Sequence, residues 1–174
     1  MPIVERIEGL DQEAIRAIHA LEQNMPEGQR LPEDVLVRFL RSPQAIKLVA
    51  RERPACQIIG YCFGLSQTVV PETGRLCRDI IGSTFYEMSW QVFQEQRGHG
   101  IGKMLRHALR DAARQAHRFF ATHQRDSFTR EQLEQELQDY GQGDAIHFLQ
   151  RALPPPPGTN IFQQYVVIRL RPNV

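Results

Sequence analysis

What this chain lacks narrows its class. No charge sign dominates: 21 Lys and Arg face 20 Asp and Glu, a formal net charge of +1. No global field therefore draws in nucleic acid. No apolar run approaches the ~20 residues that span a bilayer. The segment Met1–Arg6 has no apolar signal-peptide region, so a cytoplasmic protein off the membrane is expected. Cysteine is scarce: Cys56, Cys62 and Cys77 are odd in number and form no CxxC pair. That argues against a disulfide framework or a zinc site and for reduced, partly buried thiols. No metal site is expected. A chain of 174 residues, 41% of them hydrophobic, is long enough for one domain with a sizeable core.

What the chain does have is a glycine-rich turn. Gln96-Arg97-Gly98-His99-Gly100-Ile101-Gly102-Lys103 passes directly into a helical pattern, and the alternating run Thr84–Val92 precedes it as a strand. Strand, glycine turn and helix start together aim backbone N–H groups and a positive dipole end at an anion, with no side chains in the way.

Around this centre the pattern predicts a strand at Ile3–Ile7 and a helix at Gln12–Gln23 capped by Asp11. A loop with Pro26 and Gly28 leads to a second helix with Pro32 in its first turn. A hairpin of Ala45–Arg51 and Gln57–Ser66 follows, with Gly60 and Gly64 marking a bulge or a close backbone approach. After a long connection comes Thr84–Val92, with Tyr86, Met88, Trp90 and Val92 on one face and Phe85, Glu87, Ser89 and Gln91 on a more polar one. The glycine turn opens a helix over Ile101–His117, and Arg118–His123 is a weaker strand. Thr129–Gln132 resembles a capping box that starts a polar helix ending near Tyr140-Gly141. Asp144–Leu153 is predicted as a helix capped by Asp144, and Ile161–Leu170 as the last strand. This order implies an α+β fold: a mixed, mostly antiparallel sheet flanked by helices on both faces. One domain over 1–174 is expected, with a helical insertion at 127–141.

Two familiar nucleotide motifs fail on spacing. A dinucleotide fingerprint needs GxGxxG within a parallel βαβ series, whereas Gly98, Gly100 and Gly102 run GxGxG. A P-loop needs a first glycine where Arg97 stands and a hydroxyl where Met104 stands. Arg97, Gly100 and Gly102 do match the pattern (Arg/Gln)-x-x-Gly-x-(Gly/Ala). In this the chain resembles the GNAT superfamily of acetyl-CoA-dependent N-acetyltransferases, and its element order is similar over nearly its whole length. The resemblance implies a three-layer α/β/α arrangement and acetyl-CoA as co-substrate. The diphosphate would sit on backbone N–H groups of Gly98, His99, Gly100, Ile101, Gly102 and Lys103, with Arg97 and Lys103 offsetting charge. The pantetheine arm would pair with the strand edge at Gln91 and Val92, where a bulge in the family opens a slot.

The implied reaction is direct attack of a primary amine on the thioester. It needs a base for the amine, a donor for the oxyanion and a proton for the departing sulfur. By resemblance the oxyanion donor is a backbone N–H near Val92. Glu87, on the central strand, is the first candidate base; the competing reading is a strand carboxylate paired with a surface arginine. His123 is the second, since its ordinary pKa suits proton transfer near neutrality. For the acid, many members carry a tyrosine in a late helix, but here Leu149 holds that place in Ala145-Ile146-His147-Phe148-Leu149, and either Tyr140, before that helix, or water is the substitute. Arg106, Arg110 and Arg114 at every fourth position read as a solvated face, with contact to an acidic partner or the adenosine 3′-phosphate as the alternative. The competing functional reading is a protein of this fold that binds acetyl-CoA without transferring it. Expected partners are a small-molecule or peptide amine and neither nucleic acid nor membrane; a homodimer is left open. The acidic insertion, with Glu131, Glu134, Glu136 and Asp139, would favour a cationic amine.

Overall fold

The computed structural model describes residues 2–8, 12–25, 30, 32–53, 57–66, 83–125, 129–153 and 163–172. The Asp11 cap, the Pro26–Gly28 loop, Cys56, Cys77 and the connection after Ser66 lie outside them. In chain order the elements are β1 (Ile3–Arg6), α1 (Gln12–Gln23), α2 (Glu33–Arg41), β2 (Ile46–Arg51), β3 (Ile58–Ser66) and β4 (Thr84–Val92). There follow α3 (Ile101–Arg114), β5 (Phe119–Arg125), α4 (Arg130–Tyr140), β6 (Ala145–Leu153) and β7 (Gln163–Arg169). The strands hydrogen-bond in the order β1-β2-β3-β4-β5-β7-β6. The pairs β1–β2, β2–β3, β5–β7 and β6–β7 are antiparallel, and β4–β5 is parallel. This is the mixed, mostly antiparallel α+β sheet that the sequence predicts. No helix of the described residues is long and apolar enough to cross a membrane.

The chain divides into two compact units, Met1–Leu65 with Met88–Ala112, and Ser66–Glu87 with Ala113–Val174. In the first, α1 buries Ala14, Ile18 and Leu21, and α2 buries Leu36 and Leu40. Both stripes pack on Val49, Ile58, Tyr61 and Phe63. Each large side chain so buried contributes about 1.5–3 kcal/mol relative to exposure. The next position along β3 faces the other way. A Cβ on Gly60 would lie 2.9 Å from the Gln91 carbonyl oxygen and 3.2 Å from Leu105 of α3. Because successive strand residues point to opposite faces, α3 covers the face opposite α1 and α2. The close approach suggested by Gly60 is therefore real.

Strict alternation along β4 does not hold. Met88 packs against the α1–α2 cluster, and so does its neighbour Ser89, which donates to Glu22 at 2.8 Å. Trp90 and Val92 meet the α3 side. Met88 thus leaves the face expected for it, because two successive side chains engage the same cluster. Pro32 also stands one place earlier than expected, at the cap of α2. The other end of that helix is closed by Lys47, whose buried Nζ donates to the Leu40 carbonyl at 2.9 Å. Burial, and then the charge of Arg6, lower the Lys47 pKa.

The second unit is built on β5, β7 and β6. Ala121, Tyr165 and Val167 form its core, with Tyr86, Phe119 and Phe148 packed against them. The capping box of α4 is present: Thr129 accepts from the Gln132 N–H, and the Gln132 side chain accepts from the Thr129 N–H. Gly141 ends the helix with φ 74°.

The helix expected over Asp144–Leu153 is a strand. Register shifts between Ile146 and Phe148, and between Gln150 and Leu153, interrupt its pairing with β7. Those extra residues break the period of two and leave apolar positions at helical spacing. Asp144 caps no helix; with side-chain exposures of 1% and 0%, Arg114 and Asp144 form a buried two-pronged ion pair. Asp144 also accepts from the Arg171 N–H at 3.0 Å, and Arg114 donates to the Arg171 carbonyl at 3.0 Å. The solvated arginine face is thereby corrected too, since Arg110 is 1% exposed and Arg114 is buried.

Removing one member of such a pair leaves a buried charge uncompensated. Asp144→Ala is expected to lower the unfolding free energy by about 3–5 kcal/mol, read by urea denaturation. The double change Arg114→Met with Asp144→Leu should cost clearly less. Equal losses would show that packing, not charge pairing, holds this corner.

Candidate functional site

The glycine turn leaves β4 where the Phe93 N–H donates to the Ile59 carbonyl at 3.0 Å. A short 3-10 turn, Gln94–Gln96, reverses the chain, and the Arg97 N–H closes it on the Gln94 carbonyl. Gly98 and Gly100 then take φ 83° and 76°, a left-handed conformation that costs other residues about 1–2 kcal/mol. Nothing lies within 4 Å of where their Cβ atoms would be, so conformation, not crowding, calls for glycine there. Met104 makes a helical bond to the Gly100 carbonyl at 3.0 Å. The N–H groups before it belong to the first turn of α3, where helical acceptors run out. That turn holds no acidic residue, and residues 97–100 and 103 are exposed. The surroundings are fit to receive an anion.

The third glycine has a different reason. Gly102 lies inside α3, and a Cβ there would come within 2.9 Å of Trp90 Cζ3. It lets the indole lie against the helix. Arg97 is turned toward the strand: its Nε donates to the Val92 carbonyl at 3.2 Å and Nη2 reaches Gln91 Oε1 at 3.5 Å. His99 Nδ1 lies 3.3 Å from the Gln96 carbonyl. Gln91, Val92, Arg97 and the residues from Gly98 to Lys103 are thus one local assembly of the first unit.

The same unit contains a polar cluster that the sequence reading does not single out. Glu22, 1% exposed on α1, accepts from the Tyr61 hydroxyl and from Ser89 Oγ, and the two hydroxyls lie 2.9 Å apart. Burial and the Glu22 charge push the Tyr61 pKa up, so its proton stays in the cluster. The signal was in the helix period: Glu22 follows Ile18 by four and Ile15 by seven. That is an apolar-stripe position where a carboxylate is buried only with partners.

In the second unit His123 is half-buried, and its Nδ1 is hydrogen-bonded to the Tyr86 hydroxyl. Its ring stands edge-on to Tyr86 at 5.6 Å and tilted to Tyr165 at 5.1 Å. Burial lowers the His123 pKa. Burial first, and then the charge of Glu87, raise that of Tyr86. The phenol therefore donates and the neutral imidazole accepts. Glu87 is 4% exposed, so its face of β4 is interior rather than the more polar face expected. Tyr140 is half-buried at the last position of α4. With residues 145–153 a strand, α4 is the helix between β5 and β6, and Tyr140 closes it. His147 is exposed on β6 beside the Phe119 ring.

No protein-family model and no curated protein matches this sequence. Solved structures do match its fold. NAA60 of Arabidopsis thaliana, in complex with a bisubstrate analogue, superposes with a TM-score of 0.68 at 12% identity, covering 98% of this chain and 99% of that one. An N-acetyltransferase from Staphylococcus aureus Mu50 gives 0.67 at 14% identity, covering 98% and 99%. The ribosomal-protein-S18-alanine N-acetyltransferase of Escherichia coli gives 0.63 at 12%, covering 98% and 93%. The chain has the GNAT fold.

Because the folded chain holds His123 with a lowered pKa, it binds fewer protons than the unfolded chain below the ordinary value of 6.5. The stability this contributes is present above pH 6.5 and is lost as pH falls through the lower, folded value. Urea midpoints between pH 7.5 and 5 should fall with a shallower slope in His123→Gln than in the parent chain. Identical slopes would place the acid sensitivity elsewhere.

Proposed function

We propose that this protein is an acetyl-CoA-dependent N-acetyltransferase acting on a primary amine. The observation that carries the reading is the glycine turn: two left-handed glycines at an exposed, acid-free helix start, at the end of the central strand of a GNAT fold. The first-turn N–H groups from Gly98 to Lys103 would hold the diphosphate, with Lys103 and a reoriented Arg97 beside it. The edge at Gln91 and Val92 would pair with the pantetheine arm, and a backbone N–H near Val92 would face the oxyanion. Acetyl-CoA supplies an acetyl group activated as a thioester.

The chain's own residues would manage the protons. The attacking amine must lose one, and the Tyr86–His123 pair suits that task better than Glu87. Tyr86 would accept the proton on its oxygen while passing its own to His123 Nδ1, which is neutral at pH 7 because burial lowers its pKa. Tyr140 would return a proton to the departing sulfur. Among the acidic residues of α4, Glu134 is engaged by Arg130 at 2.8 Å. Together with Glu131, Glu136 and Asp139 it makes α4 acidic, which would favour a cationic acceptor.

Thiol release from acetyl-CoA across a panel of primary amines tests this reading. Turnover on at least one amine is expected, with kcat/KM rising through a pKa below 6.5 and levelling off by pH 7. Tyr86→Phe and His123→Gln should each lower kcat by about 10²–10⁴, the usual range for a lost acid–base group. Binding without turnover on any amine would favour the non-catalytic reading. Unchanged rates in both variants would return Glu87 to first place.

A further inference from the structure

Just past the end of α3 the chain sets a histidine against the serine that closes β3. Ser66 Oγ and His117 Nε2 lie 2.7 Å apart. Both residues belong to the second unit, and neither takes part in the glycine turn or in the Tyr86–His123 pair. The other ring nitrogen, Nδ1, lies 3.2 Å from the Ala113 carbonyl, and the His117 N–H donates to that same carbonyl at 2.9 Å. The Phe85 ring, fully buried, stands edge-on to the imidazole with centroids 5.3 Å apart. His117 is thus anchored through its backbone, through Nδ1 and through the face of a neighbouring ring. Ser66 and His117 are both half-buried, open enough for a small molecule to reach and shielded enough to keep their contact.

The tautomer follows from these contacts. A carbonyl can only accept, so in the neutral imidazole Nδ1 carries the hydrogen and donates it to Ala113. Nε2 keeps its lone pair, and the Ser66 hydroxyl donates to it. Hydroxyl, imidazole and an orienting acceptor in this order are the parts that activate a serine for attack on a carbonyl carbon. A backbone carbonyl here stands where the familiar triads have a carboxylate. We infer that Ser66 and His117 form a second reactive centre, with Ser66 as a nucleophile toward small uncharged carboxylic esters and His117 as its base. The apolar Phe85 ring beside the imidazole favours an uncharged acyl group over an ionised one. Ser66 Oγ bonds to the acyl carbon while its proton passes to Nε2. The ester C–O bond breaks, and the leaving oxygen takes that proton away as an alcohol. Water, giving a proton to the same nitrogen, then attacks the acyl carbon; the acid departs and Ser66 recovers its proton. This chemistry needs neither acetyl-CoA nor the glycine turn.

Two reagents test this on the unmodified full chain. Phenylmethylsulfonyl fluoride traps an activated serine as a stable sulfonyl ester, fluoride leaving, and peptide mapping by mass spectrometry locates the adduct. It is expected on Ser66. The second reagent, p-nitrophenyl acetate, reports the rate through release of p-nitrophenol. That release should be abolished by prior sulfonylation, and it should fall as pH is lowered, because a protonated Nε2 cannot take the serine proton. His117→Gln should slow it by about 10²–10⁴-fold, the usual share of a general base, and should flatten the pH profile. Adducts confined to residues other than Ser66 would overturn the assignment, and so would a parent rate that does not change with pH. Both of those outcomes are read on the parent chain, whatever the variant's folding. Release from His117→Gln at the parent rate would equally remove His117 as the base.

Discussion

The seating of α3 on the end of β4 is the constraint on which the candidate site depends. Two missing side chains allow it. At Gly60 the Gln91 carbonyl and Leu105 occupy the space a Cβ would need, and at Gly102 the Trp90 ring does. Close packing of this kind leaves no room for even one extra methyl group without displacement. With helix and strand held together, the intervening residues must turn sharply, and Gly98 and Gly100 supply the left-handed backbone for it. The open donors of the first turn follow from that geometry. The proposed anion cradle is thus a consequence of packing, stabilised by Ile101, Leu105 and Leu109 in the core.

Each unit also buries a charged group, and each satisfies it internally. In the first unit Glu22 is held by two hydroxyls from β3 and β4. In the second, Asp144 binds the Arg114 guanidinium and the Arg171 N–H. Such arrangements add little net stability over apolar packing, yet breaking either is expensive. Their consequence is positional. Glu22 ties the C-terminal end of α1 to Ser89, three residues before Val92, and so helps fix the strand that the proposed cofactor edge occupies. The Tyr86–His123 contact in the second unit is polar in the same sense but half-buried, which suits the proton exchange proposed for it.

Much of the architecture was legible in the residues. The limits of α1 and β4 match the pattern read from the sequence, because apolar spacing and flanking breakers agree there. The glycine turn was legible as well, since its requirement is local: an unusual backbone angle that only glycine meets easily. What failed were features decided by distant partners. The segment Ala145–Leu153 looks helical because bulges disturb its alternation, and only its pairing with β7 reveals the strand. The arginine series looks solvated because sequence spacing cannot show that Asp144 waits for Arg114. Tyr86 and Glu22 were missed for the same reason, as their roles come from His123 and from Tyr61 with Ser89. At Gly102 the structure adds a reason the sequence does not show, since its missing side chain makes room for Trp90.

If backbone N–H groups of the turn from Gly98 to Lys103 hold the diphosphate of acetyl-CoA, the bound cofactor shields them from solvent. Amide hydrogen exchange of the protein, with and without saturating coenzyme A, tests this most directly. Marked slowing is expected at the amides between Gly98 and Met104, with helix α2 unchanged. Coenzyme A that binds by calorimetry while leaving those amides exchanging at their free rates would contradict it.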